Sequence, residues 1–383
     1  MYLPSVSPFL AIVRVGMPVL IIGFVAALPV VGQTPVAHYT FDEGLNDYTV
    51  DIAIDSVNGN NGVWQNTNTD GLSYAIGRIG GAVSLRGNDD DYFVIPSISQ
   101  IDGIEPTPAG TAELGVGITI SAWTYVDDDA PSGYKGIFKS REVTDLSSAG
   151  EQSGQDWGLA WEGGDHIDAR ISGSQSDSNA DSITRNQWHH VAMVWGNVDS
   201  EASFIPPSQI VYVDGVRQDA FIEDTGIWQI ISSGSWLIGE DTCCGGREIN
   251  ALLDDLAMFD VAMSDSQVST LYNNGLLGID AAGNATGVFE PGDVNEVDGV
   301  TIADFQIIRD HIGQQVNARN LGDLNGNKEV DLDDFRMWLD VAPPALAAEA
   351  LASMSTAVPE PKTLLLVLAA TTVVCVGRRG IHS

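Results

Sequence analysis

The stretch Ile118-Thr119-Ile120-Ser121-Ala122-Trp123-Thr124-Tyr125-Val126 decides the fold. Ile118, Ile120 and Ala122 fall on one face and Thr119, Ser121 and Trp123 on the other, the period of two that marks a strand. Similar runs lie on both sides of it, at residues 36–41, 82–85, 92–95, 157–161, 166–171, 188–195, 209–213, 236–239 and 252–259. Clusters of Gly, Asn and Asp separate them, as turns separate short strands. Within residues 211–216, Asp214-Gly215 supplies the positive φ of a tight primed turn and predicts a hairpin. One helix is expected after the last strand. Ser264 caps it, Val268, Leu271 and Tyr272 form its apolar stripe, and Gly275 ends it. Strands in this number and spacing predict an antiparallel sandwich.

The 383 residues suffice for one large domain and a small one. Acidic residues number 52 against 17 basic ones, a formal net charge of −35. Binding to a phosphate backbone needs clustered Lys and Arg, so nucleic acid is excluded as a partner. The imbalance suits a chain that gathers cations.

Two segments repeat one design downstream of the strands. Asp293, Asn295, Thr301 and Asp304 occupy one, with Val297 where a further oxygen donor is expected. Asp323, Asn325, Asn327, Asp331 and Asp334 fill all the corresponding places of the other. Oxygen side chains at loop positions 1, 3, 5, 9 and 12 wrap calcium in an EF-hand loop. Lys328 stands at position 6, where glycine usually takes a positive φ. Each loop leads into a helix, with Phe305, Ile308 and Ile312 as one apolar stripe and Phe335, Trp338 and Leu339 as the other. The pair resembles a dockerin, whose duplicated motif uses Asp at the last position. The first loop, with its gap, is expected to bind calcium more weakly. Dockerins of cellulose-degrading assemblies bind cohesins through Ser or Thr at loop positions 10 and 11. Ile302-Ala303 and Leu332-Asp333 stand there instead, so a cohesin-like partner is one alternative and a calcium-stiffened spacer the other.

The order of the upstream blocks resembles the laminin-G-like jelly rolls of the concanavalin A-like lectin and glucanase superfamily. The blocks are Tyr39-Thr40-Phe41-Asp42-Glu43-Gly44, Asp55-Ser56-Val57-Asn58-Gly59-Asn60-Asn61-Gly62, Gly80-Gly81-Ala82-Val83, Asp90-Asp91-Tyr92 and Ile120-Ser121-Ala122-Trp123. They continue with Trp188-His189-His190-Val191-Ala192, Tyr212-Val213-Asp214-Gly215, Leu253-Asp254-Asp255-Leu256 and Leu271-Tyr272-Asn273-Asn274-Gly275. The resemblance implies a mainly β protein, an antiparallel jelly-roll sandwich followed by a small α-helical, dockerin-like calcium module. It also implies a structural calcium near the junction of first and last strands, with Asp42, Asn58 and Asp254 as candidates. The alternative is that Asp42 and Asn58 cap turns and Asp254 faces solvent.

A catalytic reading finds little in the pattern. Retaining glycoside hydrolysis needs two carboxyls ~5 Å apart, and the Glu-x-Asp-x-Glu run of the glucanase branch is missing. Glu240-Asp241 and Asp254-Asp255 are adjacent acids and point apart in a strand. For the same reason His189 and His190 cannot converge on one ion and read as a core strand. Trp64, Trp157 and Trp161 are possible sugar platforms, but Trp157 and Trp161 share a strand face that reads better as core.

Both ends look like addresses. Arg14, an apolar run over 15–28 and small residues before Gln33 read as a secretory signal, the alternative being a buried core helix. Pro359-Glu360-Pro361, an apolar run over 363–377 and Arg378-Arg379 resemble the PEP-CTERM sorting signal of Gram-negative bacteria. That implies processing by an exosortase-type membrane enzyme. The alternative is a plain C-terminal membrane anchor. Cys243 and Cys244 are adjacent, either a vicinal disulfide, which export permits, or two free thiols.

The expected organisation is a signal peptide at 1–32, the jelly roll at 34–276, a linker at 277–290 and the calcium module at 291–341. A flexible linker at 342–357 and the sorting signal at 358–383 complete it. The function expected is that of an exported, non-catalytic calcium protein binding carbohydrate or exopolysaccharide. Alternatives are a polysaccharide hydrolase carrying a dockerin, and a structural matrix spacer.

Overall fold

The Gly117–Val126 strand sits near the centre of an eight-stranded antiparallel sheet, between Trp188–Gly196 and Ala251–Phe259. A computed structural model describes residues 33–357 except 66–71, 86–90, 105–114, 129, 142–143, 148–149, 153–155, 172–173, 199–207, 219–227, 233, 242–244, 287–291, 296 and 298. The expected signal segment, the Cys243-Cys244 pair and the Pro359-Glu360-Pro361 motif lie outside the described residues. No helix among the described residues is long and apolar enough to cross a membrane.

The first sheet runs Val216–Arg217, Ser208–Val213, Trp188–Gly196, Gly117–Val126, Ala251–Phe259, Gly81–Ser84 and Ser73–Ile76, with Ala37–Tyr39 also paired to Ala251–Phe259. The second sheet runs Ser174–Asp177, His166–Ile171, Trp157–Glu162, Lys135–Ser140, Trp236–Ile238, Tyr92–Ile95, Gly62–Gln65 and Ile52–Ala53. Thr144–Ser147 joins Gly150–Gln152 and Trp228–Ser232 in a small separate sheet. This is the expected sandwich. Ile118, Ile120 and Ala122 point into the space between the sheets, with Met193, Trp195, Leu159 and Ile167 in the same core. The predicted hairpin forms, with Asp214 at φ 51° and Gly215 at φ 71° between its strands.

The other face of the central strand is also covered, so alternation does not produce a solvated side. Helix α1 (Asp265–Leu276) lies over it and buries Val268 and Leu271 against Ala192, Val194, Ile210, Tyr212, Ala257 and Phe259. Ser264 and Gln267 close the expected cap as a capping box. Gly275 does not end the helix. Its place is set by close approach, since a Cβ there would stand 2.6 Å from the Trp123 indole.

Of the segment expected as a linker after α1, residues 277–286 fold back instead. Ile279 bridges Ala285, Ala281 is buried under α1, and the Ala281 N–H donates to Asp255 Oδ1 at 3.0 Å. Helices α2 (Ile302–His311) and α3 (Leu332–Val341) then build a second core. Phe305, Phe335 and Trp338 pack there with centroids 5.5–6.3 Å apart. Ile312 falls just past α2 and is 38% exposed, so it does not extend the stripe.

Residues 342–357 are not a flexible linker. Helix α4 (Pro344–Ala357) packs Ala350, Leu346 and Met354 onto the module core. Alanine has the highest helix propensity, and proline is tolerated in the first turn, so the composition supports a helix as soon as an apolar surface receives it.

Candidate functional site

The two oxygen-rich loops adopt one geometry. In the second, Asp334 Oδ1 accepts the Leu324 and Asn325 N–H groups at 2.8 and 3.2 Å, and its Oδ2 accepts Asp331 N–H at 2.8 Å. Asp323 Oδ1 accepts Gly326 and Asn327 N–H, and its Oδ2 accepts Lys328 N–H at 2.9 Å. Asn325 and Asn327 each close one further turn, and Asp331 caps α3 by accepting Asp333 N–H at 2.7 Å. In the first, Asp304 Oδ1 takes the Val294 and Asn295 N–H groups at 2.9 and 3.0 Å, and Thr301 caps α2. Asp293 and Asn295 both accept Val297 N–H, while the Val297 side chain is 57% exposed. Lys328 takes φ 66° despite its side chain.

These donors suit a hard cation. Asp304, Asp323 and Asp334 are fully buried carboxylates and Asp293 nearly so. Burial, helped by neighbouring Asp334, pushes the Asp323 carboxyl up to about 6. Two carboxylates confined together gain most from a divalent ion with oxygen ligands. A contact absent from sequence patterning ties this loop to the sandwich. Tyr48 OH donates to Asp323 Oδ2 at 3.2 Å, and Tyr48 N–H donates to Asn317 O at 2.9 Å.

At the junction of first and last strands, the structure brings together two of the three candidates. Asp42 Oδ1 accepts Gly81 N–H at 2.6 Å, and Asp254 Oδ2 accepts Ile79 N–H at 2.7 Å, so both grip the 77–81 loop. Asp254 is fully buried and does not face solvent; its Oδ1 has no hydrogen-bond donor among the described residues. Burial, and then Asp255, raise its pKa well above the usual carboxylate range. That oxygen fits a cation. Asn58 stands apart, its Nδ2 donating to Val36 O at 2.9 Å in a turn organised by Asp55. Asp255 turns away from Asp254 across a bulge and pairs with the buried His38 ring at 2.7 Å. Burial would lower the His38 pKa, but Asp255 raises it.

The outer face of the second sheet carries a charge network around Tyr134. Arg247 and Arg170 lie 4.6 and 4.8 Å from its ring centroid. Asp241 is held by Arg141 at 2.6 Å and Arg247 at 2.8 Å. Burial alone would raise the Asp241 pKa, but these cations bring it to about 2. Lys139 is fully buried against Asp156. Burial of Asp168 outweighs its fork with Arg170 and raises its carboxyl to about 6.

Beside this network, Glu162, His166 and Asp177 place their ligand atoms within 4.8 Å of one another. His166 Nε2 stands 3.6 Å from Glu162, and Gln175 donates to both Asp177 oxygens at 3.0 and 3.1 Å. The cluster sets two carboxylates, Glu162 and Asp177, on one side of the sheet within reach of each other. Sequence spacing could not find it, because the acids come from different strands. Elsewhere the aromatic and histidine candidates are structural. Trp157 and Trp161 are buried in the core, and Trp64 packs against it. His189 accepts Thr184 N–H and bonds Asp214, while His190 is buried against Trp123 on the opposite face.

Residues 99–269 match a laminin G family model described as the concanavalin A-like lectin/glucanases superfamily. This stretch is a lectin/glucanase-type domain. No curated protein matches the chain. Among solved structures, the chain is similar to domain 4 of AbnA, a GH43 extracellular arabinanase from Geobacillus stearothermophilus, in complex with arabinotriose. Identity is 19%, coverage 62% of this chain and 97% of that one, and the TM-score 0.39. The botulinum neurotoxin serotype D binding domain is 12% identical, covering 63% of this chain and 51% of that one with a TM-score of 0.41. A heptameric SAP-like pentraxin from Limulus polyphemus is 18% identical, covering 52% and 84% with a TM-score of 0.33.

Proposed function

We propose that this is an exported, calcium-binding surface protein whose lectin-like jelly roll binds carbohydrate without cleaving it. The observation that carries the reading is the second loop. Its five oxygen-bearing side chains surround a turn in which the Asp323 and Asp334 carboxylates are buried and already oriented by backbone N–H groups. Asp323, Asn325, Asn327, Asp331 and Asp334 would hold the ion, with Asp293, Asn295, Thr301 and Asp304 as a weaker second set. Asp42 and Asp254 would hold another in the sandwich. Calcium supplies the charge that lets these carboxylates stay buried. The sandwich contributes the binding surface, and the terminal segments would export the chain and retain it at the envelope through an exosortase-type enzyme. A cohesin-like partner for the module has less support, since Tyr48 and Leu45 already engage it within the chain.

A glycan array run together with a hydrolysis screen tests the reading. Binding without turnover is expected; silence in both leaves a structural spacer. A second reading rests on the nearness of the Glu162 and Asp177 carboxylates, whose ligand atoms lie within 4.8 Å, because a retaining hydrolase needs two carboxyls ~5 Å apart. Reducing-sugar release that disappears in Glu162→Gln would establish it in place of the first.

A further inference from the structure

The outer face of the first sheet is covered in two unequal parts. Helix α1 closes one part, where Tyr272 stacks on Trp123 with centroids 5.7 Å apart. The calcium module leans over the other part and leaves a cleft of about 540 Å3. That volume falls in the range of roughly 300–1,000 Å3 common to ligand pockets. Two aromatic residues form its floor. Trp188 and Tyr125 are direct register partners on neighbouring strands, with ring centroids 5.6 Å apart and planes at 61°. Both line the cleft and both are only half-buried. Asp127 rises from the sandwich side of the rim, and Asn325 and Asp333 descend from the module.

We propose that this cleft is the saccharide site of the protein and that it takes a neutral sugar. The proposal rests on the carbohydrate-binding reading above and gives it a location. A sugar ring has a face of C–H groups and an edge of hydroxyls. Two angled aromatic rings offer the first an apolar contact, while carboxylates and an amide at the rim can hydrogen-bond the second. Charge selects among sugars. Asp127 and Asp333 stand at the rim, Asp333 in an exposed ion pair with Arg336 at 2.7 Å, and in a chain of net charge −35 this rim disfavours a uronate or a sulfate. Arg78 also lines the cleft but is turned to other work: its Nη2 donates to Leu276 O at 3.2 Å, and its guanidinium lies 5.4 Å over the Trp123 ring.

A surface needed only to seat the module would be filled by it. Here the described hydrogen bonds that seat it use Leu45 and Tyr48, neither of which lines the cleft. The roof belongs to the second loop and the first turns of α3, so the site is complete only when the module is in place.

Calorimetric titration of the purified protein with cellotriose, xylotriose and mannotriose, and with trigalacturonate as the acidic counterpart, tests this. At least one neutral trisaccharide is expected to bind and trigalacturonate is not. Trp188→Ala should weaken binding at least tenfold. Met337→Trp, at a 40% exposed position lining the cleft, should also weaken it by narrowing the space, and guards against misfolding of the first variant. Unchanged affinity in both variants overturns the location but leaves the carbohydrate reading standing. Preference for trigalacturonate overturns the neutral assignment. No heat with any neutral trisaccharide overturns the proposal, and the glycan array then decides separately whether the protein binds carbohydrate at all.

Discussion

The sandwich and the C-terminal module solve the same problem by different means. In the sandwich, most buried charges answer one another: Asp241 with Arg141 and Arg247, Lys139 with Asp156, and His38 with Asp255. Its core is large, and two faces of its central sheet are apolar. In the module, the buried acids Asp304, Asp323 and Asp334 accept only backbone N–H groups and the hydroxyls of Thr301 and Tyr48 among their described hydrogen bonds. A short aromatic core has to hold them. The difference teaches where a cation matters. The sandwich balances most of its buried charge internally, with Asp254 Oδ1 the exception, whereas the acids of the module face one another across loops suited to a cation.

Removing calcium should break this comparison most visibly. With a chelator, the module is expected to melt separately and earlier, losing about 3–4 kcal/mol if calcium was present at roughly 100–1,000 times its dissociation constant. The main transition of the sandwich should move less, since only the Asp42 and Asp254 pair would lose an ion there and the large apolar core remains. Scanning calorimetry with and without chelator reads both, and a single unshifted transition would erase the distinction.

Acid should act on the sandwich through His190. Burial holds its pKa at about 4, below the ordinary 6.5, although Asp214 pulls the other way. The unfolded chain therefore binds a proton between those values and the folded chain does not. Stability should fall as pH drops from about 6.5 to about 4, by a contribution on the order of 3 kcal/mol. His38, raised by Asp255, contributes with the opposite sign, so the useful quantity is the difference from His190→Gln. That variant should lose this share of the pH slope in urea melts; an identical slope would show that His190 does not titrate as described.

Smaller effects sharpen the boundary between the units. Tyr48→Phe deletes the hydroxyl that reaches Asp323 and should lower the melting of the module by about 1–2 kcal/mol, with little change in the sandwich. Lys328→Gly removes the penalty of a left-handed side-chain residue at φ 66° and should stabilise the module by about 1 kcal/mol. Thermal melts of each variant in calcium supply the comparison.

Much of the sandwich was legible because alternation survives in strands such as Gly117–Val126 and Trp188–Gly196. Lys135–Ser140 was not. Its adjacent Ile137 and Phe138 both enter the core, because a register shift opposite Leu159 and Ala160 breaks the period of two. Ser174–Asp177 carries no apolar residue at all and could be placed only by pairing with His166–Ile171. Helix α4 escaped because alanine runs read equally as linker and as helix until a surface is present to bury one side. The oxygen donors of both loops were legible from spacing, since the loop is local. The contact of Tyr48 with Asp323 spans 275 residues, and the Trp188–Tyr125 cleft exists only once two units meet.

The most direct measurement is a calcium titration by calorimetry on the purified protein, beside Asp334→Ala and Asp304→Ala. Calcium is expected to bind with measurable heat, the tighter event vanishing in Asp334→Ala and surviving in Asp304→Ala. No heat in the parent protein, or equal binding in all three, would contradict it.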